Sequence, residues 1–407
     1  MVNKILNNSM MSEDSVWIMY NSENCDPYFS KFITNKTVVS TICILSNNKK
    51  NLNQKFLLVH SLDKDNISNF DDEVIVYNGE NSLVHNMTEI LKKLDYPKII
   101  YLNYSDKMDV LIDILGYGTY RFLTDNIILE YKKANKSPIF KSSDELIYFL
   151  LDTKTEEDIF YMKIAAKRAL DILTRSFNSI KIGMTEKQIQ NLVHKISSFR
   201  HSYNNSNIIS EDFSWEKELC PIVLTGPNLA KGGHSCPDDR ILKPGDTIYM
   251  DFGIQIHLRD GRKYSSDIQR MGYAMTAQDK KTRSIPEDIR KVFRVLYEAV
   301  DLGIKNLKPD IMGYEIDSLV RNYIIENNYP NYNHATGHPI GELAHNPGTS
   351  RSPKGHKRSS MKIRENGVYT IEPRIQIPNG GSIEEMVLAT PTGGATLCQR
   401  QSRLYLI

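Results

Sequence analysis

Nowhere in the 407 residues do 18 apolar residues run together, so the sequence offers no membrane-spanning helix. The start, Met1 to Ser9, lacks an apolar core of signal-peptide length. Neither sign of charge dominates. The 51 Lys and Arg against 49 Asp and Glu leave a formal net charge of +2, which gives no electrostatic reason to expect nucleic acid or an acidic membrane surface as main partner. Cysteine is scarce, and the five present (Cys25, Cys43, Cys220, Cys236, Cys398) are odd in number and lack metal-type spacing. That favours free thiols in a reducing compartment over a disulfide framework. A soluble cytoplasmic protein is the economical expectation.

The chain is long enough for two or three domains and for a core that needs no covalent staples. Its first part alternates. Thr37–Leu45, Lys55–Val59, Glu73–Tyr77 and Lys98–Leu102 are apolar runs of strand length, and Ser82 to Leu94 has helical spacing through Leu83, Met87, Ile90 and Leu91. No acid pair, histidine cluster or phosphate loop occurs there, so residues 1–150 read as a mixed α/β accessory domain and 151–407 as the chemical one. Thr155-Glu156-Glu157-Asp158 is a capping-box-like helix start, and Thr185 with Gln188 is another. The pattern Ile180-Lys181-Ile182-Gly183 through Ile189, Leu192 and Val193 recurs as Leu307-Lys308-Pro309-Asp310 through Ile316, Leu319 and Val320, a constant offset of 127 residues. Such a repeat predicts two αβ halves closing on each other about a pseudo-twofold.

The chemistry-bearing residues lie in the second part. Asp251 sits inside the apolar run Thr247–Ile256, opened by the turn Lys243-Pro244-Gly245-Asp246; a carboxylate in such a run is costly unless a metal or partner neutralises it. Asp267 follows the turn signal Asp260-Gly261, so one hairpin can bring both aspartates to the same end of a sheet. Glu372 and Glu384 flank Asn379-Gly380-Gly381 as a second acidic hairpin. His334, His338 and His345 crowd into one Gly-interrupted stretch, and His234 stands in the loop Lys231-Gly232-Gly233-His234-Ser235. Two divalent metals roughly 3.5–4 Å apart need bridging carboxylates and terminal ligands, a mixture that Asp251, Asp267, His338, Glu372 and Glu384 supply. Oxygen-rich ligation with one imidazole suits manganese, cobalt, iron or zinc and excludes a thiolate zinc site. The bland reading of any one of these residues is a turn-facing, solvent-facing or loop side chain; it is the ordered set that is specific. The basic run Lys354 to Lys362 reads as a solvated loop rather than a nucleic-acid patch.

From about Lys154 onward these motifs resemble the pita-bread metallopeptidases, the family of methionine aminopeptidase, aminopeptidase P, prolidase and creatinase. The resemblance implies a pita-bread catalytic domain with internal duplication, α/β in class, behind a creatinase-like or prolidase-like N-terminal domain. It further implies two divalent metal ions on the five residues above, with manganese first and Co2+, Zn2+ or Fe2+ as alternatives. Asp251 is similar to the chelating aspartate, Asp267 and Glu384 to the bridging carboxylates, and His338 and Glu372 to the ligands of the other metal. His234, His334 and His345 match outer histidines that line the substrate site. In the implied mechanism Glu372 acts as general base and then acid, and His345 or His234 stabilises the tetrahedral intermediate. The N-terminal domain points to the proline-specific branch: an Xaa-Pro aminopeptidase or dipeptidase acting on peptides with proline at the second position, as a homodimer. A small non-peptide substrate, or a binding scaffold without catalysis, are the competing readings. The sequence departs from the branch at Ser382, where an arginine is usual, at Asn346, where an acid is common, and in its longer segments between Asp251 and Asp267 and from Asn346 to Asn366.

Overall fold

The computed structural model describes residues 10–34, 36–47, 54–67, 70, 73–106, 109–198, 203 and 205–407. The chain divides into two compact units, Met1–Leu150 and Leu151–Ile407.

In the first unit a six-stranded mixed sheet has the order β4-β3-β2-β1-β5-β6, with β1 Ser15–Asn21, β2 Thr41–Asn47, β3 Lys55–His60, β4 Glu73–Tyr77, β5 Ile99–Leu102 and β6 Ile139–Ser142. Strand alternation places Val16, Ile18, Ile42, Ile44, Phe56 and Leu58 in one cluster. The helices α1, Glu80–Lys93, and α2, Tyr117–Lys133, close that cluster with Leu83, Met87, Ile90, Leu123, Ile127 and Tyr131. The strand expected from Thr37 begins at Thr41, because the amides of Val38 and Val39 both donate to Asp63 Oδ2, at 3.0 and 2.8 Å, and are lost to the ladder.

The second unit is built twice over. Helix α3, Glu156–Phe177, starts at the capping box of Thr155 and is followed by α4, Glu186–Ser197; helix α5, Glu287–Asn306, is followed by α6, Gly313–Glu326. The links match in detail. Gly183 and Asp310, 127 residues apart, both have positive φ, +97° and +68°. The Gly183 amide donates to Leu242 O and the Leu242 amide to Met184 O; the Asp310 amide donates to Ile363 O and the Ile363 amide to Ile311 O. Asp251 then lies nine residues beyond Leu242, and Glu372 nine beyond Ile363. The duplication read from the sequence is therefore real, and it makes these two acids positional equivalents.

Each half contributes a hairpin that changes sheets partway along. In the first, β9 Thr247–Phe252 pairs with β8 Ile222–Thr225 and β12 Ile268–Tyr273, while β10 Ile254–Leu258 pairs with β7 Ile208–Phe213 and β11 Lys263–Ser265. The change occurs at Gly253, where a Cβ would sit 2.0 Å from Ser266 O, so only glycine fits. In the second, β13 Val368–Ile371 pairs with β16 Glu385–Thr390, which also pairs with β17 Gly393–Thr396, and the short β14 Arg374–Ile375 pairs with β15 Gly381–Ser382. Pro373 interrupts the ladder because it has no N–H to give. A last strand, β18 Tyr405–Leu406, runs parallel to β12.

Candidate metal centre

The acids collect where the hairpins change sheets. Asp251 is near the end of β9, Asp267 directly precedes β12, Glu372 follows β13 and Glu384 precedes β16. The two hairpins are stitched together there: Gln269 and Glu384 form a β-bridge, with N···O distances of 3.4 and 3.3 Å in the two directions. His338 arrives on an irregular segment paired to β13; its amide donates to Thr370 Oγ1 at 3.1 Å and the Thr370 amide to His338 O at 2.9 Å.

All five proposed ligands converge. Ligand atoms of Asp251, Asp267 and Glu384 lie within 4.8 Å of one another, as do those of His338, Glu372 and Glu384. His338 Nε2 is 3.6 Å from Asp267 Oδ2, 3.5 Å from Glu372 Oε1 and 3.7 Å from Glu384 Oε1. Its Nδ1 is 3.3 Å from Pro339 O, an acceptor that favours the proton on Nδ1 and so turns the Nε2 lone pair toward three carboxylates. Lone pairs gathered this way need either protons or a cation among them, and the arrangement suits a metal ion. Asp251 Oδ1, Asp267 Oδ1 and both carboxylate oxygens of Glu384 are buried and accept no hydrogen bond within the protein. Buried acceptors left so are costly, and a metal ion satisfies them.

Charge leads to the same conclusion. Burial first, then the neighbouring negative charges, hold the carboxyls of Asp267 and Glu384 well above the ordinary range, and the same causes push Glu372 up to about 8. Burial, and then His345, keeps His338 neutral. By themselves the four carboxyls cannot all ionise; two divalent cations would balance them. The residues fit a pair of hard divalent ions, which four carboxylates and one imidazole would hold.

Around the cluster, the His345 ring lies 4.2 Å from that of His338, and His345 joins Asp267 and His338 in a third group with ligand atoms within 4.8 Å. His334 is half-buried; its Nδ1 faces Ala335 O at 2.7 Å while Nε2 has no partner, and burial pushes its pKa down to about 4. His234 is exposed in the turn closed by the Ser235 amide on Gly232 O, near enough to act electrostatically on Asp251, His334 and His345. Gln269, Tyr249 and Thr370 also belong to the site and were not singled out from the sequence. Gln269 Nε2 donates to Asp251 Oδ2 at 3.2 Å and Glu372 Oε2 at 3.0 Å, Tyr249 OH donates to Asp251 Oδ2 at 3.0 Å, and Thr370 Oγ1 reaches Glu372 Oε1 at 3.5 Å. Each is two positions from a predicted ligand, hence on the same strand face, which was a usable signal. Behind them the fully buried Arg270 donates to Gln269 O, Glu384 O and Glu385 Oε2 and so fixes the backbone of both hairpins.

The basic loop turns its lysines, Lys362 among them, to solvent, as expected. Lys354, His356 and Lys357 are exposed, but Ser359 and Met361 are buried.

Residues 161–391 match the model of metallopeptidase family M24, and the chain belongs to that family. It is 25% identical over 305 residues to the Xaa-Pro dipeptidase of Pyrococcus horikoshii, covering 73% of this chain and 78% of that protein. Among solved structures, the X-Pro aminopeptidase of Thermotoga maritima superposes with a TM-score of 0.63 at 20% identity, covering 97% of each chain. The Xaa-Pro dipeptidase of Bacillus anthracis also gives 0.63, at 19% identity, over 100% of this chain and 98% of that one. The expected pita-bread fold is thus shown. Among the described residues no helix is long and apolar enough to cross a membrane.

Proposed function

We propose that the chain is a dinuclear metallopeptidase that removes the residue preceding proline from the N-terminus of a peptide. The observation that carries this is the convergence of His338 Nε2 on the carboxylates of Asp267, Glu372 and Glu384, with Asp267 Oδ1 and both oxygens of Glu384 left without a hydrogen-bond partner in the protein. Asp251, Asp267, His338, Glu372 and Glu384 would hold two divalent ions, manganese in first place and cobalt, zinc or iron as alternatives. When bound, such ions polarise a carbonyl and lower the pKa of a water.

The protein's own groups supply the rest. Glu372 rests between Gln269 Nε2 and Thr370 Oγ1, so its carboxylate is held in place while its affinity for a proton is raised by burial. It would take a proton from the attacking water and give it to the leaving amine. His345 and His234 would donate to the oxygen that becomes negative as the carbonyl turns tetrahedral. His334, with its free Nε2, would hold the substrate. The proline preference rests on the kind of relatives the chain has and on its N-terminal unit, which we take to be of the creatinase and prolidase type and to serve a homodimer. Five cysteines, none of them in a disulfide, suit a reducing cytoplasm.

The test is a panel of di-, tri- and longer Xaa-Pro peptides beside Xaa-Ala controls, with metal content measured on the same protein. Release of the first residue from Xaa-Pro substrates alone, dependent on added manganese, is expected. Protein that binds two metals yet leaves every peptide intact would favour a small non-peptide substrate; protein that binds none would leave only the scaffold.

A further inference from the structure

Arg374 is 2% exposed, and the mechanism above makes no use of it. Its guanidinium carbon lies 5.2 Å from the ring centroid of Tyr249, whose hydroxyl donates to Asp251 Oδ2. Its Nη2 donates to Leu229 O at 3.3 Å and Lys231 O at 3.1 Å, the backbone that leads into His234, and Gln376 Nε2 adds two bonds at 3.2 Å to Ala230 O and Lys231 O. Nη1 is 3.3 Å from where a Cβ on Gly233 would stand. The Nε is buried without a partner. A buried guanidinium left partly unsatisfied is expensive, which argues for a task beyond packing.

We propose that Arg374 is a positioning residue joining the two sides of the centre: across the Tyr249 ring it fixes the phenol that orients Asp251, and through two carbonyls it fixes the loop that presents His234. In the β14–β15 ladder Arg374 pairs directly with Ser382. The serine at 382, noted in the sequence as a departure, is therefore met by a cation from the facing strand. Ser382 Oγ donates to Pro373 O at 2.7 Å, so it is occupied with the turn and offers Asp251 nothing.

The proposal rests on the metal reading of the site, and its test separates the two. Manganese binding is titrated by calorimetry on Arg374→Gln, Arg374→Lys, Tyr249→Phe and the exchange variant Arg374→Ser/Ser382→Arg, with hydrogen exchange of residues 229–235 followed in metal-free protein. Arg374→Gln should weaken manganese roughly tenfold or more, speed exchange in that loop, and lower kcat more than it raises KM. Arg374→Lys should keep part of the metal affinity but not the loop protection, because an ammonium cannot lie flat on Tyr249 while bonding two carbonyls. The exchange variant should recover metal affinity with the loop still loose. Tyr249→Phe should weaken manganese, and should add little on top of Arg374→Gln. Wild-type affinity and exchange in Arg374→Gln would overturn the proposal, as would additive losses in the double variant. If Arg374→Gln does not fold, Arg374→Lys and Tyr249→Phe decide, and normal manganese affinity in both overturns it. Wild-type protein that binds no manganese would sink the metal reading itself.

Discussion

Replacing Asp267 with asparagine should move stability in opposite directions depending on whether metal is present. Ligand oxygens of Asp251, Asp267 and Glu384 lie within 4.8 Å of one another. At an effective dielectric of about 20, a fully ionised pair at that separation repels by about 3.5 kcal/mol. The carboxyls escape much of this by holding protons, so the relief on removing one charge from metal-free protein is about 1–3 kcal/mol near pH 8. A domain of this size shifts by about 2–4 °C per kcal/mol. Metal-free Asp267→Asn should therefore melt roughly 5 °C above metal-free wild type.

The sign with pH follows from the raised pKa values. A carboxyl whose folded pKa lies above its unfolded one loses stability as pH climbs from the unfolded value toward the folded one, here from about 4 up to the value of about 8 for Glu372. At pH 5 the two proteins should melt close together. With manganese at 100 times its Kd the wild type gains about 2.7 kcal/mol per site, whereas the variant, lacking a bridging carboxylate, gains much less. Scanning calorimetry in chelator and in manganese, at pH 5 and pH 8, reads all four conditions. A variant that melts below wild type in chelator at pH 8, or that manganese raises equally, would refute the reasoning.

Gln269→Ala leaves Asp251 Oδ2 and Glu372 Oε2 without the shared amide, and losing hydrogen bonds to charged groups costs about 1.5–3 kcal/mol, so kcat on an Xaa-Pro peptide should fall at least tenfold with little change in KM. His345→Ala should lower kcat by about 10²–10³ while two metals per chain remain, as elemental analysis would show; loss of a metal would make His345 a ligand instead. Glu385→Ala strands the fully buried Arg270 and should destabilise the protein by about 3–5 kcal/mol in urea unfolding, a loss that added manganese does not fully reverse.

The convergence of these side chains is legible from the ordered set rather than from any one member: Asp251 lies within an apolar strand, where a charge is unusual, but the others stand beside turns that close hairpins, where acids are common. What escaped notice was uncharged or set in unremarkable surroundings. Tyr249, Gln269 and Thr370 look like ordinary strand residues until the period of two is applied from the ligands outward. Arg374 gains its meaning only from the ladder that sets it opposite Ser382, and a register between two-residue strands leaves no periodic mark. In the first unit β1, Ser15–Asn21, went unread although all but one of its residues are buried, and helix α2 hid because its apolar positions are mixed with polar ones. The repeat is readable from helix spacing alone, yet its strongest support, the paired backbone bonds at Leu242 and Ile363, depends on contacts between about fifty and sixty residues apart in the chain.

The likeness of the two halves ends at one residue. Asp251 and Glu372 are counterparts, but an imidazole comes only from the later half, so one trio of ligands is purely anionic, Asp251, Asp267 and Glu384, while the other mixes a neutral nitrogen with Glu372 and Glu384. Two ions entering this chamber would meet unequal hosts. If Asp267 and Glu384 bridge the pair, each ion would face three carboxylates and only the one beside His338 would have a nitrogen as well, so the two positions would differ in ligand softness rather than in charge.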